Sequence, residues 1–395
     1  MTATITFFPV DNGDMTLLKL ADTDATALLI DVNIRQDADD PKGEARDVAK
    51  DLRDRLKKDA NGRPYVDAFL LSHPDQDHCR GVARHFHLGP LGDYPDDEKD
   101  YKDKKIVIRE IWSSPIVFRR ASKTHTLCDD AKAFSTEARR RVQLNRDKNF
   151  VVGDGDRILV MGADIDGKTD DLGPILRKVD ESFSTINGKQ SAFFSAHLLA
   201  PLDANDDEEE EASLVKNQSS VIMNVTLAAD AQTPDGAKFM TGGDAEVFIW
   251  NRQWDRHKDE PDVLEYDLLQ APHHCSWHSL SDDSWSECGE KAKVDPDARS
   301  ALSQTRDGAI VVASSKPIAD DDSDPPCIRA KREYLAIVKD AKGEFFCTGE
   351  YPNSKAVEPL VFTVTSRGIQ PPSKKESGAK AAAIVTSART PMPHG

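Results

Sequence analysis

The chain has 395 residues, 38% of them hydrophobic and 31% charged, and a formal net charge of −17. That is enough apolar material for one large core or two ordinary ones, so a globular protein is expected. No apolar run of about 18 residues and no basic-then-apolar leader occurs, so neither a membrane span nor a signal peptide is expected, and the negative field disfavours tracking along extended duplex nucleic acid.

Residues 4–20 and 25–32 read as three short strands, with Asp11-Asn12-Gly13-Asp14 and Ala21-Asp22-Thr23-Asp24 as turns. Helical spacing follows over residues 43–58, where Ala45, Val48, Leu52 and Leu56 share a face. Residues 65–71 form a mostly apolar strand that ends in Ser72-His73-Pro74-Asp75-Gln76-Asp77-His78. His73, Asp75, Asp77 and His78 thus gather two imidazoles and two carboxylates at one strand tip, the ligand types that suit zinc, manganese or iron. Taken alone, the string also fits a polar loop whose aspartate caps a helix.

A helix is expected over residues 82–86, a strand over 105–112 and a long charged helix over 128–145. Arg119, Arg120, Arg139, Arg140, Arg141 and Arg146 read either as a local basic face or as ordinary solvated helix charge. Residues 157–161 and 191–200 read as strands on either side of a helix-like 171–183. An acidic insertion near 203–216 follows, and its run from Asp206 to Glu211 marks a solvated excursion. Asn217-Gln218-Ser219-Ser220 then opens an apolar strand. His85, His87, His125 and His197 are isolated or sit in apolar surroundings and read as structural.

Two further strand tips carry ligand-type residues. Phe239-Met240-Thr241-Gly242-Gly243-Asp244 breaks at glycines into an acid, and the strand at 267–270 runs into His273-His274-Cys275-Ser276. Residues 245–257 have helical spacing, with Val247, Trp250 and Trp254 on one side as core packing. A strand at 308–314, a helix at 328–340 and strands at 345–348 and 358–365 complete the pattern. One folded domain is expected over residues 1–367 and a disordered tail, rich in Ser, Ala, Lys and Pro, over 368–395. The six cysteines include no CxxC pair, which fits reduced thiols and a cytoplasmic location.

The order and spacing of the three ligand-bearing tips resembles the metallo-beta-lactamase superfamily, and most closely the hydrolase domain at the end of the bacterial DNA-uptake channel protein ComEC, over roughly residues 4–365. The resemblance implies an α/β fold of the metallo-beta-lactamase-like four-layer αββα type, holding two divalent metal ions, zinc or manganese. It implies that His73 and Asp75 bind one ion, that Asp77 and His78 bind the second, and that Asp244 bridges them. It implies that one histidine of the pair completes the second ion's sphere, His274 by the usual Pro-x-His arrangement, with His273 beside it to support the ligands or contact the transition state. Asp75 stands where many relatives carry histidine, which hardens the first site toward manganese or an oxygen-rich zinc sphere. Gly13, Asp14 and Asp31 match the family's entry turn and strand end. Asp14 and Asp31 are therefore candidates to support the ligands, or plain turn and capping carboxylates. Asn217 or Ser219 is likewise a candidate substrate contact or a turn residue.

Three departures stand out. Cys275 replaces the glycine of the family's HHGS, placing a soft thiol where the backbone comes close. No histidine between the first two motifs clearly supplies the first metal. Residues 314–326, with acids from Asp320 to Asp324, replace a glycine-histidine-proline stretch.

The implied mechanism is metal-assisted hydrolysis, in which a water held between two ions roughly 3.5 to 4 Å apart attacks an ester centre in line. Asp75 or Asp244 would take its proton, and His273, His278 or Ser276 would contact a leaving oxygen or phosphate. The favoured activity is a phosphodiesterase or nuclease acting on DNA, RNA or a small nucleotide. Hydrolysis of a lactam, lactone or thioester is the alternative, and a non-catalytic metal-binding regulatory module is a third reading. The polar stretch after His274, with Ser276, His278 and Ser279, suits a phosphoryl centre, whose charge spreads over several oxygens.

Overall fold

A computed structural model of the chain describes residues 1–40, 43, 45–118, 126–164, 167–202 and 219–372. The acidic run at 203–211, Asn217, Arg119, Arg120, His125 and most of the expected tail lie outside them.

Two mixed sheets carry the fold. In the first, strands β1 (Ala3–Phe7), β2 (Thr16–Lys19), β3 (Ala27–Ile30), β4 (Pro64–Leu71), β5 (Ile106–Ser113) and β6 (Arg157–Met161) lie side by side in that order. The first three form an antiparallel meander, whereas β3 to β6 run parallel. The second sheet contains β7 (Phe194–Ala200), β8 (Ile222–Leu227), β9 (Ala237–Met240), β10 (Tyr266–Gln270), β11 (Thr305–Ala313) and β12 (Glu344–Cys347). It is antiparallel up to β9 and parallel from β9 onward. The last long strand, β13 (Leu360–Thr365), returns to pair with β1, setting Thr4 opposite Thr363.

Side chains alternate between the faces of a strand, and here the alternation sorts them into separate cores. Ala68 and Leu70 of β4 join a cluster shared with Met223, Val225, Phe239, Leu268 and Ile310 of the other sheet. Phe69 and Leu71 face the opposite way, onto Val48 and Leu52 of helix α1 (Val48–Arg53) and Phe134, Ala138 and Val142 of the long helix at Asp129–Asp147. The second sheet does the same. Its Ile222, Met240, Leu269 and Val311 pack with Trp250 of the helix Val247–His257 and with Tyr334 and Ile337 of the helix Ile328–Asp340. The result is a mixed α/β architecture in which the sheets share one apolar cluster and each has a second, helix-lined one. No described helix is long and apolar enough to cross a membrane.

Three expectations need correction. The helix expected over 43–58 is confined to α1, because the Asp47 carboxylate caps it, accepting from the Lys50 amide at 2.8 Å, and Lys57–Lys58 leaves to pair with β4. The helix-like reading of 171–183 fails. Gly173-Pro174 interrupts it, leaving a 3-10 turn at Asp170–Leu172 and short strands at Leu176–Arg177 and Ser182–Phe183. The arginines of the long helix are not simply solvated charge: Arg140 and the buried Arg141 each lie 2.7 Å from Glu137, Arg146 pairs with Asp171, and Arg139 donates to Phe118 O at 3.0 Å.

Candidate metal centre

The ligand-type residues follow the carboxyl ends of parallel strands, the edge of an open α/β sheet where sites are ordinarily built. Asp31 comes directly after β3, His73 after β4, Asp244 after β9, and His273 and His274 after β10. Local bonds tie these tips together. The His273 amide donates to Gly243 O at 2.8 Å, the Asp244 amide to Ser220 Oγ at 3.0 Å, and the Val32 amide to His78 O at 2.8 Å. Two glycines make the close approaches feasible. A Cβ on Gly242 would lie 2.8 Å from Gln270 O, and one on Gly13, whose φ is +145°, would lie 2.7 Å from Asp77 O.

Asp244, only 3% exposed, is the hub. Its Oδ1 lies 3.0 Å from His78 Nε2 and 3.4 Å from His274 Nε2, while its Oδ2 lies 3.4 Å from His73 Nε2 and 3.8 Å from His273 Nε2. The Nε2 atoms of His78 and His274 are 3.2 Å apart, and His274 Nε2 is 3.4 Å from Asp77 Oδ2. Ligands held about 2.1 Å from a tetrahedral ion stand roughly 3.4 Å from one another. The spacings therefore suit atoms aimed at a shared ion.

The hydrogen-bond inventory agrees. Asp14 Oδ1, His73 Nε2, Asp244 Oδ1 and His274 Nδ1 are buried with no hydrogen-bond partner, even where a neighbour is close. Orphaned buried atoms cost free energy, and a cation would satisfy those directed at it. Asp14, His78, Asp244 and His274 each offer a ligand atom within 4.8 Å of the others, as do Asp31, His73 and His78. The second set is chemically different. Asp31 already accepts from the Ser72 amide at 2.7 Å, from Ser72 Oγ at 2.5 Å and from His78 Nδ1 at 2.8 Å. It fixes the His78 ring with Nε2 turned toward Asp244, the carboxylate–histidine relation common behind metal ligands.

Charge balance follows the same lines. Burial opposes protonation of His78 but is outweighed by Asp244 and Asp31, so its pKa stands well above 6.5. His274 is likewise pushed up to about 10, as Asp244 and Asp14 overcome burial. Burial raises the Asp244 and Asp77 carboxyls, yet the facing histidines win and hold both well below the usual range. Protons on the imidazoles thus offset buried carboxylates, a role that a bound divalent cation could fill in their place.

Other expected site residues are distributed less centrally. Asp75, half-buried, precedes the short helix α2 (Gln76–Cys79) and belongs to neither ligand-atom set. Asp77, its side chain 34% exposed, joins through His274. His273 lies at the rim, with Nδ1 3.8 Å from Glu246 Oε1. His278 turns outward to Asp324, 3.9 Å away, rather than toward Asp244. Ser276 and Ser279 are not available as phosphate donors: their buried hydroxyls donate to Asp324 Oδ1 at 2.7 Å and Ala245 O at 3.1 Å. His197 bonds Ser182 Oγ at 2.9 Å, consistent with a structural role. Ser219 is buried just ahead of β8.

Cys275 resolves one departure. It is left-handed, with φ 69°, like His273 and His274 before it, so the position has the backbone that favours glycine. Its side chain belongs to the apolar cluster beneath the second sheet, and burial pushes the thiol pKa well up. A thiol kept protonated among apolar groups is not a ligand here. The residue that sequence reasoning passed over is Ser72. A hydroxyl directly before the first ligand is a weak signal, and only its contact with Asp31 reveals its part.

No protein-family model matches the chain, and no curated protein matches it.

Proposed function

We propose that this protein is a metal-dependent hydrolase of the metallo-beta-lactamase-like four-layer αββα type, and that it is a phosphodiesterase acting on DNA, RNA or a small nucleotide. The observation that carries the proposal is the Asp244 carboxylate, with one oxygen turned to His78 and His274 and the other to His73, so that it would serve as a shared ligand for metal bound among these histidines. The apolar cluster between the sheets and the helix-lined cluster on each outer face support the fold assignment. Zinc or manganese bound there would acidify water and stabilise charge at a phosphoryl centre. His73, with Asp75 near it in sequence, would hold one ion, and His78, His274 and Asp77 the other.

The chain's own groups do the rest. Asp31 keeps the His78 ring oriented. Both Asp244 oxygens face histidines and Asp77 faces His274, so the proton of an attacking water falls to Asp75, which is half-buried. His273 at the rim, its Nε2 3.8 Å from Asp244 Oδ2, stands where it could contact a leaving oxygen. A lactam hydrolase needs one oxyanion position and an apolar cradle, whereas this rim presents Asp77, Glu246 and His273.

The test is a panel of bis-p-nitrophenyl phosphate, labelled oligonucleotides, a chromogenic cephalosporin and a thioester, each with manganese, zinc and magnesium. Phosphodiester turnover that disappears in Asp244→Asn is the expected result. Turnover of the carboxyl substrates alone would transfer the reading to the lactam, lactone or thioester class. Equal, substoichiometric metal in the wild type and an Asp77→Ala/His78→Ala double mutant would sink the metal centre itself.

A further inference from the structure

Beside the metal-bearing turn lies a cavity of about 670 Å³, whose lining includes Arg35, Gln76, Arg80, Arg84 and Asp130. We propose that it is a phosphate-binding subsite, with Arg80 as its cation, that holds a phosphodiester group of the substrate chain next to the one being hydrolysed. The proposal rests on the phosphodiesterase reading and extends it to a polynucleotide substrate.

The argument is one of uncompensated charge. Arg35 is paired with Asp11 at 2.6 Å and Asp37 at 3.5 Å. Arg84 is paired with Asp39 at 2.8 Å and donates to Ile34 O at 3.0 Å. Asp130 spends both oxygens on the Gly81 and Ala83 amides, each at 2.9 Å. Arg80 is different: among the described residues its guanidinium has no ion pair or hydrogen bond, and its Nε is buried without a partner. Among the same residues Arg53, Arg139 and Arg177 also lack an ion pair but donate to backbone carbonyls, whereas the Arg80 guanidinium has neither kind of partner. Leaving a buried N–H unsatisfied is costly, and a planar guanidinium is the group best shaped to accept a phosphate.

Position gives the subsite its use. Gln76 and Arg80 bracket Asp77 and His78 on one helical turn, the Arg80 amide donating to Gln76 O at 2.8 Å. A substrate that ended at the metal centre would not need this cavity, whereas a chain with successive phosphates would pass it. Asp130 in the same wall limits the negative charge that the cavity accepts. That favours a singly charged diester over a doubly charged terminal phosphate.

The experiment is fluorescence anisotropy with a short fluorescein-labelled oligothymidylate, on protein stripped by EDTA and on protein loaded with manganese, for the wild type, Arg80→Ala and Arg80→Lys. Arg80→Ala should weaken binding about tenfold in both forms and reduce the slope of log K against log salt by about 0.7, the loss of one single-strand phosphate contact, while Arg80→Lys keeps the slope. Metal content, measured in parallel, should not change. Affinity and slope equal to wild type in Arg80→Ala, or no binding of the probe by the wild type at low salt, would overturn the subsite. The two readings fail separately. Oligonucleotide hydrolysis with an Arg80→Ala variant of unchanged KM removes the subsite alone, and Arg80-dependent binding without hydrolysis under any metal removes the hydrolase reading alone.

Discussion

Replacing Asp31 with asparagine should loosen metal binding without dismantling the fold. The carboxylate accepts from the Ser72 amide, Ser72 Oγ and His78 Nδ1, at 2.7, 2.5 and 2.8 Å. Asparagine has a single acceptor oxygen: in the Oδ2 place it keeps Ser72 Oγ and His78 Nδ1 but turns its NH₂ on the Ser72 amide, and in the Oδ1 place it keeps the amide but turns its NH₂ on His78 Nδ1, so either the loop or the ring loses its anchor. It also removes the negative charge that makes the imidazole a better ligand. Loss of an orienting carboxylate behind a metal ligand lowers affinity roughly 10- to 100-fold, or about 1.4 to 2.7 kcal/mol. Competition against a chromophoric chelator with zinc at fixed pH measures this directly. Because Asp31 acts through the His78 ring, the effect should largely vanish in a His78→Ala background, a double-mutant cycle with clear coupling. Wild-type affinity in Asp31→Asn, or the same 10- to 100-fold loss with His78 already removed, would refute the role assigned to Asp31.

Gly13→Ala should cost about 2 kcal/mol or more and lower metal content, because the new Cβ would fall 2.1 Å from Asn33 Nδ2 and 2.7 Å from Asp77 O at a left-handed backbone. Calorimetry and elemental analysis would both move, and an unchanged melting temperature would show that the turn can shift freely. Cys275→Ser should destabilise by about 1 to 3 kcal/mol, since a hydroxyl would be buried in an apolar cluster, yet leave metal content intact. A loss of metal at unchanged stability would instead assign the thiol to the centre. Cys128, whose Sγ lies 3.5 Å from Cys79 Sγ, has its pKa lowered from 9.0 to about 6 by the Cys79 thiol, with help from the Ala131 amide. Its thiolate is present above that pH and lost below it, so alkylation should be rapid at pH 7 and slow as pH falls through about 6. Cys79→Ala should move the midpoint up, and a wild-type midpoint near 9 would refute the pairing.

Much of the scaffold was legible in the chain. Residues 157–161 and 328–340 form the expected strand and helix because their periodicity is a local property, set by which residues fall on one face. The misreadings were local too. The breaker pair Gly173-Pro174 outweighs the helical spacing around it, and the Asp47 cap restricts α1 to fewer turns than its apolar spacing suggests. The charged helix misled in another way. Arg141 looks like surface charge in the sequence but is 1% exposed, bonded to Glu137.

The sequence by itself determined that three strand tips would carry histidines and aspartates, because residue type and strand length are written in order along the chain. Only the tertiary structure decided which of them meet. Asp14 and Asp31 had equal claims as turn carboxylates until His274 and His78 were found beside them, and His278, four residues beyond His274, turned out to face Asp324 instead. The bond between Asp31 and His78 spans 47 positions and the contact between His78 and His274 spans 196. Such pairings arise when two sheets pack and bring their strand ends to one edge, and the freedom of Arg80 is likewise a matter of which acids the fold carries elsewhere. Local propensity has no access to either, since both depend on where distant backbone comes to rest.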